Sequence, residues 1–219
     1  MTQAVVRFRN IEQRAGVVDN GAAVTIAKDQ PYTATVRLRG TADLMFHGWN
    51  TNAVAAKEAA AKGSEAKKSD DLESYVYRDA TQHICLPGTY LVSALCDTAR
   101  FRKDPRSPRK SARDLVRAGC TVLTAFCPIL GAATGKPVMQ WDYLDARREV
   151  VQRNAITRTR PCFVKGWEVE VELGIILPEY IAPEWLHELL TYAGRINGIA
   201  ERRPTFGRFA LSKFTVAAF

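Results

Sequence analysis

No apolar run in the chain approaches the roughly 20 residues that a bilayer crossing demands. Met1 to Asn10 carries arginines and lacks the apolar centre of a secretory signal, so a cytoplasmic protein with no membrane partner is expected. Histidine is scarce, with only His47, His83 and His187 to supply general bases. The five cysteines are odd in number and form no C-x-x-C pair, which argues against a zinc site or a disulfide framework and for reduced, mostly buried thiols. There is no Walker loop, no G-x-S-x-G, no H-E-x-x-H and no G-x-G-x-x-G after a strand. The carboxylate pairs Asp70-Asp71 and Asp142/Asp145 lie among polar or basic residues and read as solvated surface rather than a metal centre. Neither a cofactor nor a metal is expected.

What the chain does have is positive charge in one place. The net charge is +8, yet residues 100–165 alone hold 15 Lys and Arg against 5 Asp and Glu, so the remainder is slightly acidic. Clustering of this kind is the footprint of a polyanion binder. With 219 residues the chain can bury a sizeable core, and nothing in its composition marks a boundary within 1–219, so a single domain is expected.

Periodicity supplies the elements. Residues 1–30 hold short apolar stretches and read as an N-terminal arm. Tyr32 to Leu38 alternates at period two with Ala34, Val36 and Leu38 on one face, a half-buried strand ending at Gly40. Residues 50–72, rich in Ala, Lys and Glu, have high helix propensity but few large apolar groups, so they read as an exposed insertion. Tyr75-Val76-Tyr77 is a short strand candidate, and Leu86-Pro87-Gly88 a turn. Thr89 starts a helix with Leu91, Leu95 and Ala99 on one face. Arg102 to Lys110, with two prolines and five basic residues, reads as an extended loop. A helix from about Ser111 to Ala118 follows, and Cys120 to Cys127 reads as one buried strand. Arg147 to Arg153 is a strand candidate, and Thr157 to Pro161 a basic connector. Trp167 to Ile176 is an amphipathic strand, Trp167, Val169, Val171 and Leu173 facing in and three glutamates out. Pro183 opens a last helix with Leu186, Leu189 and Leu190 buried, and Ala210 to Val216 is the final strand. The expected class is α+β, a modified ferredoxin-like or RNA-recognition-motif arrangement carrying insertions, thumb-like after the first core strand.

The richest segment is Gly194 to Phe209, with three glycines, four arginines and two phenylalanines between the last helix and the last strand. Glycines allow close backbone approach, and arginine forks fit phosphate. The candidate phosphate contacts are Arg102, Lys103, Arg106, Arg109, Lys110 and Arg113 in the basic loop, Arg147, Arg148, Arg153, Arg158 and Arg160 beyond it, and Arg202 and Arg203. Trp49, Trp141 and Phe206 lie near turns, where a ring can stack on a base or pack into the core. His47, in a Phe-His-Gly-Trp turn after the first strand, is the candidate base of an enzyme reading, or a hydrogen-bonding turn residue.

Leu38 to His47 resembles the first strand and exit loop of the RAMP superfamily. Leu86-Pro87-Gly88 with the helix after it, and the Gly194–Phe209 segment, resemble that superfamily's proline-glycine turn and glycine-rich loop. The pattern is similar to uncharacterised tailed-phage proteins and covers most of residues 32–216. It departs from the endonuclease form of the loop, because Ala200 and Glu201 interrupt the glycine spacing. The superfamily includes CRISPR backbone subunits, which polymerise along a guide RNA, and CRISPR RNA endonucleases. The resemblance implies single-stranded RNA or DNA as partner, and copies assembled side by side as a homo-oligomer or filament, the 50–72 insertion acting as a thumb that reaches the neighbour. A non-enzymatic binder is the leading expectation. The alternatives are a metal-independent endoribonuclease using His47, and a phage protein whose basic surface docks on a host complex.

Overall fold

The computed structural model describes residues 29–61, 64, 71–151 and 154–219. The expected N-terminal arm lies outside these, apart from Asp29 and Gln30, as do Arg153 and residues 62–63 and 65–70 of the insertion.

Among the described residues twelve strands run in chain order: β1 Tyr32–Gly40, β2 Leu44–Met45, β3 Tyr77–Arg78, β4 Ile84–Pro87, β5 Lys103–Asp104, β6 Ser107–Ser111, β7 Cys120–Val122, β8 Phe126–Pro128, β9 Tyr143–Val151, β10 Asn154–Phe163, β11 Glu168–Ile175 and β12 Phe209–Ala218. The helices are α1 Thr51–Ala59, α2 Thr89–Ala99, α3 Arg113–Gly119 and α4 Pro183–Ile196. The central sheet has the order β12-β1-β11-β7, every neighbour antiparallel. Helices α2 and α3 lie between β1 and β7 in the chain, and α4 between β11 and β12. Mixed helix and antiparallel sheet make the class α+β.

The alternation read from the sequence is what buries one face of this sheet. Ala34, Val36 and Leu38 of β1 and Val169, Val171 and Leu173 of β11 are wholly buried, paired in register as Ala34↔Leu173, Val36↔Val171 and Leu38↔Val169. Full burial of each such Val or Leu contributes about 1.5–3 kcal/mol before entropy is counted. Leu186, Leu189, Leu190 and Ala193 of α4 and Leu91, Ala94 and Leu95 of α2 join the same cluster. The outward positions of β1 are Thr33, Thr35, Arg37 and Arg39, opposite Gly174, Glu172, Glu170 and Glu168. Arg37 pairs with Glu170 at 3.0 Å. Charge pairs, rather than rings, occupy these outward positions.

Helix α1 is capped by Asn50, whose Oδ1 accepts from the backbone N–H groups of Asn52 and Ala53. Its described side chains are not buried, as the lack of large apolar residues requires.

Five local expectations change. Leu86 and Pro87, expected in a turn, are the end of β4, and Tyr75, expected in a strand, closes a 3-10 turn over Glu73–Tyr75 ahead of β3. The basic loop folds back as the β5–β6 hairpin. The run from Cys120 to Cys127 is two strands in different sheets: β7 pairs with β11, and β8 with β4. An apolar run carries no mark of which sheet takes which half. The connector Thr157–Pro161 is the middle of β10, paired with β9 through Cys162↔Tyr143, Arg160↔Asp145 and Arg158↔Arg147.

Candidate nucleic-acid interface

The segment from Gly194 to Phe209 closes over the exit of β1. Gly194 packs its α-carbon against the last strand, where a Cβ would stand 2.1 Å from the Phe209 carbonyl oxygen. Gly198 caps α4, donating to the Ala193 carbonyl at 2.8 Å. Gly207 has φ +73, and a Cβ there would lie 1.8 Å from the Ile199 oxygen, so only glycine fits. Four backbone hydrogen bonds tie the loop to β1's exit: Gly207 N–H donates to the Asp43 carbonyl at 2.7 Å, Glu201 N–H to the Met45 carbonyl at 3.1 Å, and the Thr41 and Ala42 N–H groups to the Arg208 carbonyl at 2.8 and 3.3 Å. Asp43 is a further junction, its carboxylate accepting from the Tyr143 hydroxyl and the Lys165 N–H, each at 2.8 Å. Ala200 and Arg202 are left-handed, at φ 64 and 53, although neither is glycine. Such strain is held in place by the surrounding structure and clusters at sites.

Between these left-handed residues Glu201 faces a cleft of about 170 Å³ lined by His47, Tyr90, Ser93, Ala200, Glu201 and Arg203. The carboxylate of Glu201 stands 4.0 Å from His47 Nδ1 and 3.8 Å from the Arg160 guanidinium, which is itself almost fully buried. Arg203 reaches Asp97 on α2 at 3.5 Å. Tyr90, Ser93 and Asp97 are spaced three and four apart, so one stripe of α2 forms this wall. Burial first, then the hydrogen bond with Tyr77, push the Tyr90 phenol above its ordinary range, so it stays neutral.

The β9–β10 hairpin supplies the second wall. Cross-strand partners share a face, so Tyr143 with Cys162, Asp145 with Arg160, and Arg147 with Arg158 all lie on one side. Tyr143 and Cys162 pack there with Met45 and Phe206. The Arg147 guanidinium lies 5.1 Å from the Phe206 ring centroid and pairs with Asp145 at 2.6 and 2.9 Å. Arg148 is exposed on the opposite face, opposite Thr157.

The remaining candidates lie elsewhere. Lys103, Arg109 and Lys110 are exposed on the β5–β6 hairpin, and Arg113 is half-buried at the start of α3. Arg106 forks onto Asp104, and Arg102 lies over the Tyr192 ring and 3.9 Å from Glu188. None of these residues lines the cleft. Trp49 is 72% exposed, Trp141 is half-buried against the core, and Phe206 is 5% exposed beneath Arg147. Sequence reasoning passed over Glu201 as a mere interruption of glycine spacing, and over Tyr77, Tyr90, Ser93 and Phe126. The Tyr90–Ser93–Asp97 spacing was the available signal. Among the described residues no group of three or more His, Cys, Asp or Glu could hold a metal ion, and no helix is long and apolar enough to cross a membrane.

No protein-family model matches the chain, and no curated protein matches it. Among solved structures the fold is similar to a chain of Type III-B Cmr-beta bound to cognate target RNA, with a TM-score of 0.51 at 7% identity over 86% of this chain. This protein spans 61% of the length of that chain. It is more loosely similar to Cmr6 from Pyrococcus furiosus, with a TM-score of 0.43 at 10% identity, over 83% of this chain and 98% of that one. At such identities the likeness bears on the fold alone. Nothing in these likenesses bears on the phage resemblance.

Proposed function

We propose that this protein binds single-stranded RNA in the groove between its glycine-rich loop and the β9–β10 hairpin, without cleaving it. The observation that carries the reading is convergence: Arg147, Arg158 and Arg160 share the hairpin face that meets the loop bearing Arg202 and Arg203. Segments some 45 residues apart in sequence thus bring their arginines to one groove, where forked donors suit phosphate. The strand order supports the fold part of the reading. Counting only the central sheet, the strands lie 4-1-3-2 with helices after the first and third, the arrangement of a ferredoxin-like or RNA-recognition fold. The outward face of β1 and β11 is dominated by the Arg37–Glu170 and Arg39–Glu168 pairs, with the Phe219 ring only at its edge against Gly174, which favours the groove over the sheet as the place for RNA. The RNA named with the Cmr-beta neighbour favours RNA over DNA, in a cytoplasmic setting. Assembly of copies side by side, with the 50–72 insertion reaching the neighbour and the exposed Lys103, Arg109 and Lys110 adding phosphate contacts, completes the proposal. Fluorescence anisotropy of a labelled 10-mer RNA at 50 mM salt tests it. Absence of binding there refutes it.

A specific arrangement favours one second reading, a metal-independent endoribonuclease. His47 lines the cleft with Tyr90, Arg203 and Glu201, so a base, a neutral phenol and a cation face one small space. Cleavage of labelled RNA in EDTA that is lost in His47→Ala would decide for it, and intact RNA decides for the binder.

A further inference from the structure

The cleft that Glu201 faces is not built as a phosphate trap. Its lining and immediate partners set two guanidinium groups, Arg160 and Arg203, against two carboxylates, Glu201 and Asp97, so the charges cancel when His47 is neutral. A phosphate entering would meet the Glu201 carboxylate head-on, and repulsion between like charges discourages it. A neutral, polar group meets no such penalty. At about 170 Å³ the cleft is also smaller than the roughly 300 Å³ at which ordinary small-molecule pockets begin, which admits one ring system rather than a stretch of backbone.

The hydrogen-bonding groups narrow the choice further. Both oxygens of Glu201 stand beyond hydrogen-bond length from Arg160 and His47, at 3.8 and 4.0 Å, so charge holds the carboxylate in place while its acceptor positions toward the cleft stay open. A carboxylate is an acceptor only, and two oxygens can take two parallel N–H groups. Among the nucleobases guanine presents that pair, N1–H and the exocyclic N2 amine, on its Watson–Crick edge. The Ser93 hydroxyl and the neutral Tyr90 phenol line the same space.

An aromatic shelf continues from the cleft. Tyr90 meets Tyr77, with hydroxyls 3.4 Å apart and ring centroids 6.3 Å apart. Tyr77 lies 6.0 Å from Phe126 at a 36° tilt, and its hydroxyl accepts from the Trp49 backbone N–H at 3.2 Å. Phe126 and Trp49 are 49% and 72% exposed, a large apolar area for water to face without a use.

We propose that the cleft takes up one unstacked guanine of a single-stranded RNA, read by Glu201, while the next base stacks on the Tyr77–Phe126 shelf. This rests on the RNA-binding reading above and adds a sequence preference to it. Recognition of splayed-out bases by edge hydrogen bonds and by stacking is the usual way single strands are read.

The experiment compares three 10-mers by anisotropy at 50 mM salt: all-uridine, the same with one central guanosine, and the same with inosine there, which keeps N1–H and lacks the N2 amine. The expected result is a preference of about tenfold or more for guanosine over uridine, as one good bidentate contact gives. Inosine loses most of that preference, and in Glu201→Gln the guanosine-to-uridine ratio falls to near one. Phe126→Ala weakens all three oligomers about tenfold, the loss of one stacked base. Equal binding of all three by the unaltered protein overturns the guanine site and leaves the RNA-binding reading standing. A preference that persists in Glu201→Gln or with inosine overturns the assignment to this carboxylate. Binding of none overturns both readings. The inosine arm needs no altered protein, so a folding defect in a variant does not blunt the test.

Discussion

Exchanging Arg147 and Arg158 for glutamine removes the cross-strand arginine pair from the hairpin wall of the groove. On the groove reading proposed above, four arginines meet a phosphate backbone there: Arg147, Arg158, Arg202 and Arg203. For single strands each neutralised phosphate adds about 0.7 to the slope of log affinity against log salt, so four contacts give a slope near −2.8. Between 50 and 200 mM salt that is about a 50-fold loss of affinity. Without the pair the slope halves to near −1.4, and the loss over the same range is about sevenfold. Arg147 is paired with Asp145, but its side chain is 43% exposed, and an ion pair this open is worth only about 0–1 kcal/mol. Asp145 therefore does not hold Arg147 back from a phosphate. Anisotropy titrations of a 10-mer RNA over five salt concentrations give both slopes. Arg148→Gln, on the other face of the hairpin, should move the slope by less than half a contact. A slope near zero in the unaltered protein, or one that Arg148 controls as strongly as Arg147 and Arg158, refutes the groove.

Three further outcomes follow from burial. Gly194→Ala forces a Cβ to within 2.1 Å of a backbone oxygen that cannot swing away, so chemical melts should show a loss of about 1–3 kcal/mol or failure to fold. Burial lowers the His187 pKa below its ordinary 6.5, with Glu188 opposing more weakly. The unfolded chain therefore takes up this proton first, and stability is full above about pH 6.5 and falls as pH drops below it, by at most about 1.4 kcal/mol per unit. Urea melts at pH 7.5 and 5.5 should show that fall, and His187→Gln should flatten it. Burial pushes the thiols of Cys85 and Cys162 up to about 11 and those of Cys120 and Cys127 up to about 12, so an aromatic disulfide reagent at pH 8 should label the native protein slowly and the urea-unfolded protein at once.

The central sheet was legible because its strands bury one face only. Val169, Val171 and Leu173 alternating with Glu168, Glu170 and Glu172 state both the period and the inward side. The last helix was legible for the same reason, from Pro183 through its leucine stripe. The β9–β10 hairpin was not, because its packed face is charged: Asp145, Arg147, Arg158 and Arg160 replace the apolar half of the pattern, and only pairing across the strands shows that they share a side. The apolar run from Cys120 to Cys127 hid a change of sheet. Half of the site could be read, since His47 and the loop arginines stand in unusual local sequence. The other half, Tyr90 and Ser93 on α2 and Phe126 on β8, comes to the cleft through tertiary packing alone. The basic run from Arg102 to Lys110 drew attention by composition, yet two of its arginines are already engaged with Asp104 and Tyr192.

The backbone ties between β1's exit and the last loop, Gly207 to Asp43 and Glu201 to Met45 among them, join residues more than 150 positions apart. They have a consequence for synthesis. A chain emerging from the ribosome N-terminus first can form β1 and α2 early, but the strand that locks against β1, Phe209–Ala218, follows more than 150 residues later. Until it pairs, Glu201 and Arg203 have no fixed wall to face, and the cleft does not exist. A copy in which Phe209–Ala218 has yet to pair therefore has no assembled cleft.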